Sequence, residues 1–453
     1  MSIRPISILC LLNIVLFSAS GCMPKKDVPK NIILFIADGC GFNHITAATL
    51  YQYGQSGKQV YQQFPVQYAV STYCANGVKY DPAQAWASFK WVLKRPTDSA
   101  AAATAIATGN KTNAGELGVN PQGQQLETIV EQAEKLRKST GVVSSVPFND
   151  ATPAAFCVHD TSRDNYASIT KYILYTSPID VVMSVGDPMY DENGKLIPDT
   201  LSSYTEKKST WQKYHDGLSG ADADGNGTPD KWTFVESRSE FQKLDSGPTP
   251  SRILGLAEIS STLQEARAGD PFAAPNQVPF ISTVPTLPEM AKAALNVLDE
   301  DKDGFFLMIE GGAVDWAAHE NHTGRMIEEL TDFNKAVECA VDWVNTNSSW
   351  DETLMIITAD HETGYLTGPG SGKNDSTVTD VAKTWTALVN HGQGQVPGLE
   401  WHTHGHTNSL VPFFAKGAGS TIFHNYADEM DPVRGKYIDN TEIGKAMFEL
   451  WAK

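Results

Sequence analysis

The chain has 453 residues, of which 41% are hydrophobic, enough for a sizeable core and more than one simple domain usually holds. Its formal net charge of -18 argues against nucleic acid or an anionic membrane surface as partner. Any anionic substrate must therefore be drawn in by local positive charge.

Residues 1–21 combine one positive flank, Arg4, with a mostly apolar run from Ile6 to Phe17. That run is short for a bilayer span and fits a signal peptide. It closes on "ASGC", which ends at Cys22 and resembles a bacterial lipobox. The expectation is a lipid anchor on Cys22 and an exported, periplasmic protein. Residues 22–30 read as a polar tether, and no later apolar run is long enough to span a bilayer. Export permits disulfides, but Cys40, Cys74, Cys157 and Cys339 show no zinc-ribbon spacing and give no connectivity.

From residue 31 onward, apolar strand-like runs alternate with helix-like stretches, the pattern of an α/β protein with a largely parallel sheet. The first run, "NIILFIADG", ends at Asp38. "RPTDSAAAATAIATGNKT" then places Ser99 at the start of a stretch of small helix formers, where a hydroxyl sits at a helix N-terminus that favours anions. Taken alone, Ser99 reads equally as an N-cap. The segment at about 187–285 is rich in Gly, Pro, Ser and Asp, and is expected to be an irregular insertion over one face rather than part of the central sheet. Within it, Asp222, Asp224, Asn226 and Asp230 repeat the spacing of a calcium loop, but residue 233 is Thr where such a loop carries Glu. Any calcium there is expected to be weak and structural, and a solvated acidic turn is the plain alternative.

"DEDKDGFFLMIEGGAVDWAAHENH", residues 299–322, contains two metal patterns that share Glu310. The calcium-loop reading of 299–310 fails because positions seven to eleven, "FFLMI", read as a core strand. Asp299 to Asp303 are then the turn after the helix "LPEMAKAALNVL", and Glu310 ends a strand. A helix starting near Val314 puts Asp315 and His319 one turn apart on one face, an ordinary zinc pairing. "TLMIITADHETG" ends a third buried run at Asp360 with His361 beside it, and "EWHTHGHTN" offers His402, His404 and His406. Ligands of an open parallel sheet gather outside the carboxyl ends of its strands. Carboxylates collected there at Asp38, Glu310 and Asp360 repel one another unless cations are present, so the pattern points to a multi-metal hydrolase.

The blocks "ADGCG", "TDSAAAAT", "DATPAAFCVHDTSR", "EGGAVDWAAH", "TADHETG" and "HGHTNSLVPFFAKG" resemble, in order, the motif set of the alkaline phosphatases, over about Asn31 to Trp451. The resemblance implies a doubly wound α/β fold over residues 31–453, usually dimeric. It also implies a site with two Zn2+ and one Mg2+ that hydrolyses phosphate monoesters through a phosphoserine at alkaline pH. On that likeness, Ser99 is the nucleophile and Arg163 grips phosphate oxygens. Asp315, His319 and His406 match the first zinc's ligands, and Asp38, Asp360 and His361 the second's. Asp38, Thr152 and Glu310 match those of magnesium, with Asp150 nearby. Three positions depart from the pattern, the first being Pro96 in the serine block, where the family usually has an aliphatic residue. Trp316 stands beside the phosphate site where many relatives have His or Lys, and Asp150 stands where many have His, so the Asp–Lys pairing of some relatives cannot form. Other readings are a phosphodiesterase of the same superfamily or a calcium-dependent binding lipoprotein; a sulfatase is disfavoured because "SAAAA" lacks the Pro and Arg that formylglycine formation needs.

Overall fold

The computed structural model describes residues 28–197, 212–213, 216–223, 225–373 and 381–452. The expected signal peptide, Cys22 and Asp224 lie outside these residues. Among the described residues no helix is long and apolar enough to cross a membrane. Cys40, Cys74, Cys157 and Cys339 are free thiols, the first three buried and the last half-buried.

Among the described residues thirteen strands follow in chain order: β1 Asn31–Ala37, β2 Val66–Ser71, β3 Ser139–Pro147, β4 Val181–Val185, β5 Thr233–Val235, β6 Ile253–Leu256 and β7 Phe305–Gly311. After them come β8 Thr353–Thr358, β9 Glu362–Thr363, β10 His406–Thr407, β11 Val411–Gly417, β12 Glu429–Asp431 and β13 Gly435–Asp439. Eleven of them form one sheet in the order β12-β13-β2-β11-β8-β1-β7-β3-β4-β6-β5, and β9 pairs with β10 in a separate ribbon. From β8 to β5 every pairing is parallel, whereas β11 runs antiparallel to both β8 and β2. The central runs β1, β7 and β8 are buried at every residue, as strands covered on both faces must be.

Eight of the helices form two packed groups. Ser99–Thr108, Ile129–Lys135, Ala151–Cys157 and Asn440–Trp451 pack together, as do Phe42–Tyr53, Leu287–Leu298, Ala313–His319 and Thr323–Asn347. The sequence delimits several of them. Thr286 and Glu289 form a capping box that opens Leu287–Leu298, the stretch expected from "LPEMAKAALNVL". The helix expected near Val314 runs from Ala313 to His319. Residues 299–304 form the turn between helix and strand, where Asp301 accepts hydrogen bonds from Asp303 N and Ser139 N.

The segment 187–285 needs one correction. It is largely irregular, but β5 and β6 lie within it and extend the central sheet beyond β4. Two strands of three and four residues are too short to show a period of their own. Their place is fixed by hydrogen bonding to β4, which only the folded chain supplies.

Candidate active site

The sheet order places β1 between β8 and β7, so three acidic strand ends become neighbours. Ile36 is opposite Glu310 on one side and Thr358 on the other, and Asp38 and Asp360 each stand a residue or two beyond. Asp38, Glu310 and Asp360 are all buried. The turn after Asp38 needs glycine: Gly39 has φ +69°, and a Cβ there would meet Asp315 Oδ1 at 2.6 Å. Its backbone N–H donates to Asp360 Oδ1 at 3.1 Å, tying the two strand ends together.

Around these carboxylates the imidazoles converge. His361 Nε2 lies 3.1 Å from Asp360 Oδ2 and 3.5 Å from Asp38 Oδ1. His319 Nε2 lies 3.3 Å from Asp315 Oδ2 and 3.0 Å from His406 Nε2. The His361 and His406 rings stack with centroids 3.6 Å apart. Among the described residues two sets of ligand atoms are compact enough to hold an ion, Asp38 with Asp360 and His361, and Asp315 with His361 and His406. The first is the expected second-zinc set. In the other, His361 joins where His319 was expected, although His319 touches both remaining members. Of the three histidines in the His-rich loop, only His406 reaches the cluster. His402 Nε2 is bonded to Thr367 Oγ1, and His404 Nδ1 to His319 O.

The donor set fits cations. Asp38 Oδ1, Asp360 Oδ2, Glu310 Oε1 and Thr152 Oγ1 are buried without any hydrogen-bond partner, which native interiors rarely tolerate. Burial raises the Asp38 carboxyl well above its usual range, with Asp360, Asp315 and Glu310 adding repulsion. Burial likewise lifts Glu310 to about 8 and Asp360 to about 7. Burial also opposes the charge of Asp315, but hydrogen bonding from His319 and the nearby imidazoles outweigh it and hold this carboxyl well below its usual range. In return Asp315 overcomes the effect of burial on His319 and lifts that imidazole to about 9. Burial and the neighbouring His406 press His361 well below the normal imidazole range, leaving it neutral and free to donate a lone pair.

Ser99 opens the helix Ser99–Thr108, and its Oγ lies 3.1 Å from His361 Nε2. The N-cap of that helix is Asp98, whose side chain accepts from Ala101 N at 3.1 Å, so Ser99 does no capping. Asp98 also fixes the cation: Arg163 Nη1 lies 3.3 Å from Asp98 Oδ2 and Nη2 3.0 Å from Asp150 Oδ1. Asp150, without a lysine to pair with, thus pairs with Arg163 and caps the helix Ala151–Cys157, which carries Thr152. Trp316 is half-buried on the helix that bears Asp315 and His319.

Three supporting residues escaped the sequence reading. Asp98 left a signal, since an Asp directly before a helical run is a capping residue. Ser144, which donates to Glu310 Oε2 at 2.5 Å, lies within an apolar strand and left none. Neither did Thr363, which donates to Asp315 Oδ1 at 2.5 Å from the β9–β10 ribbon. The loop 222–230 is separate from the cluster. Asp222 accepts from Asn226 N and Gly227 N, and Asp230 from Ala223 N, so the loop's own backbone satisfies both carboxylates.

Comparison with known proteins places the chain in a family. A family model described as "Alkaline phosphatase" matches residues 29–393. Alkaline phosphatase 3 of Bacillus subtilis is 27% identical, covering 97% of this chain and 96% of its own. The alkaline phosphatase of Escherichia coli is 30% identical, covering 90% of this chain and 85% of its own. Among solved structures, alkaline phosphatase from the Antarctic bacterium TAB5 overlays with a TM-score of 0.61 at 24% identity, covering 94% of this chain and 99% of that one. Cold-active alkaline phosphatase from a psychrophilic Shewanella gives a TM-score of 0.63 at 25% identity, covering 93% and 100%.

Proposed function

Because the chain belongs to the alkaline phosphatase family of phosphate monoester hydrolases, we propose that it works through a phosphoserine on Ser99, at alkaline pH, with two Zn2+ and one Mg2+ bound. The observation that carries this reading is the position of Ser99 Oγ, 3.1 Å from the one imidazole, His361, that belongs to both compact ligand sets. Asp38, Asp360 and His361 would hold one zinc, and Asp315, His319 and His406 the other. Asp38, Thr152 and Glu310, with Asp150 beside them, would hold magnesium. Bound there, the ions supply Lewis acidity, lowering the pKa of a coordinated hydroxyl or water towards about 7 and neutralising charge on departing oxygen.

The chain's own groups do the rest. Arg163, oriented by Asp98 and Asp150, presents its guanidinium to two phosphate oxygens. Ser99 stands at the positive end of its helix, where anionic oxygen is favoured. The Ser99 oxygen attacks phosphorus, the ester P–O bond breaks, and the alcohol leaves after taking a proton. Water then attacks phosphorus, the Ser99 Oγ–P bond breaks, and inorganic phosphate leaves with the serine restored. The test is chemical trapping: quenching at low pH with labelled substrate should leave phosphate on wild type and none on Ser99→Ala. Equal labelling of both proteins overturns the assignment.

The same reading includes export, an anchor on Cys22 and a homodimer. Fatty-acid labelling that Cys22→Ser abolishes checks the anchor, and sedimentation at twice the chain mass checks the dimer. A further expectation is that any calcium at Asp222, Asp224, Asn226 and Asp230 is structural.

A further inference from the structure

The ribbon β9–β10 carries more than its own pairing can hold. It stands apart from the main sheet, with Thr407 opposite Glu362 and His406 opposite Thr363. Two residue pairs supply few ladder hydrogen bonds, and even a longer isolated hairpin is only marginally stable. Yet β9 directly follows His361 and β10 begins at His406, the two imidazoles whose rings stack. Side chains that hold a metal need tighter control, to within about 0.5 Å of their productive positions.

Between the two turns lies Glu362, a buried carboxyl that the phosphatase chemistry does not use. Its Oε2 accepts from Thr407 Oγ1 and its Oε1 from Leu366 N at 3.0 Å. A hydroxyl has one proton to give, and the closer acceptor for Thr407 is Glu362, at 2.5 Å against 2.9 Å for Ser409 Oγ. Glu362 also packs on the turn that follows Asp38, where a Cβ on Gly41 would meet its Cγ at 2.5 Å. One side chain thus touches the first strand's turn, adjoins His361 and is bonded to the residue after His406. The His406 ring is oriented separately, by Nδ1 donating to Thr97 O at 2.9 Å. Orienting a ring does not place the backbone that bears it. That falls to the bond between Glu362 and Thr407.

We infer that Glu362 is a positioning residue for the phosphatase reaction, setting through Thr407 the place of His406 opposite His361 and so the hold on one zinc ion. The inference rests on the reading of His406 as a zinc ligand.

Competition with a chromogenic chelator, on protein loaded with zinc and magnesium, tests this. Thr407→Val keeps the shape of the side chain and removes the hydroxyl. One zinc should then be released on the order of tenfold more readily, with the other unchanged. Thr407→Ser should restore that zinc, a rescue that packing alone would not give. Glu362→Gln should weaken the same ion, because its amide offers an acceptor on one side only. The double variant Glu362→Gln/Thr407→Val should be no worse than the more affected single, since both remove one bond. In cobalt-substituted protein the visible spectrum should change in Thr407→Val and return to that of wild type in Thr407→Ser. Equal loosening of both ions, additive losses in the double variant, or no rescue by Thr407→Ser each overturns the inference. His406→Ala separates it from the reading beneath it. If that variant loses one zinc while Thr407→Val keeps both at wild-type affinity, the positioning role falls and the ligand assignment stands. If His406→Ala keeps both ions, the two fall together. Should Glu362→Gln fail to fold, Thr407→Val against Thr407→Ser decides alone.

Discussion

Removing the metals should make the protein's stability fall as pH rises, and the structure indicates by how much. Without cations, Glu310 keeps its proton up to about pH 8 and Asp360 up to about 7, against ordinary values of 4.5 and 3.8. The unfolded chain releases both protons far earlier, so above pH 5 it binds fewer protons than the native state. Stability then declines with pH until each native group ionises, at about 1.4 kcal/mol per pH unit per group. Between pH 6.5 and 9, Glu310 contributes a loss of about 2 kcal/mol and Asp360 less than 1 kcal/mol. His319, raised from 6.5 to about 9, loses its stabilising charge over the same interval. Its side chain is 36% exposed, so solvent screening leaves only a fraction of the nominal value. His361, depressed by burial, works in the opposite direction, but only about 0.4 kcal/mol of its contribution remains above pH 6.5. The net loss is on the order of 3 kcal/mol, a sizeable part of the usual 5–15 kcal/mol. Chelator-treated protein should therefore melt at markedly lower temperature at pH 9 than at pH 6.5. Protein reloaded with zinc and magnesium should lose most of that dependence, since ligand binding stabilises the ionised native form. A metal-free melting temperature that is flat or rising across this window would refute the reasoning.

Thr363→Val removes the hydroxyl that orients Asp315 and should weaken zinc retention on the order of 10–100-fold, read by competition with a chromogenic chelator, with Thr363→Ser restoring it. Trp316→Lys adds a cation that, at a few ångströms in a wet crevice, is worth on the order of 1 kcal/mol. Phosphate should then inhibit roughly fivefold more tightly, and unchanged inhibition in a fully metallated variant would show that residue 316 does not face phosphate. Asp222→Ala, in a loop whose carboxylates are satisfied by their own backbone, should leave zinc content and turnover intact. A strong loss of activity would link that loop to catalysis.

Much of this protein is legible along the chain because its signals are local. Continuous apolar runs ending in an acidic residue identify β1, β7 and β8, since a strand buried on both faces tolerates charge only where it leaves the sheet. The four-residue interval between Asp315 and His319 is likewise a property of one helical turn. Ser99 is marked by the small residues behind it, and the helices by their caps. What the sequence does not contain is adjacency. That β1 lies between β8 and β7, and so brings Asp38 beside Glu310 and Asp360, is a matter of strand order, set by hydrogen bonding between segments hundreds of residues apart. The same holds for β5 and β6, which join the sheet from within a segment that reads as irregular. The residues alone leave His402, His404 and His406 open until the family likeness singles out His406, whereas only the tertiary structure sets His361 between both ligand sets and hands Asp150 to Arg163. Thr363 and Ser144 acquire their roles by contact alone, because a hydroxyl's partner depends on what the fold brings within about 3 Å, not on its neighbours in the chain.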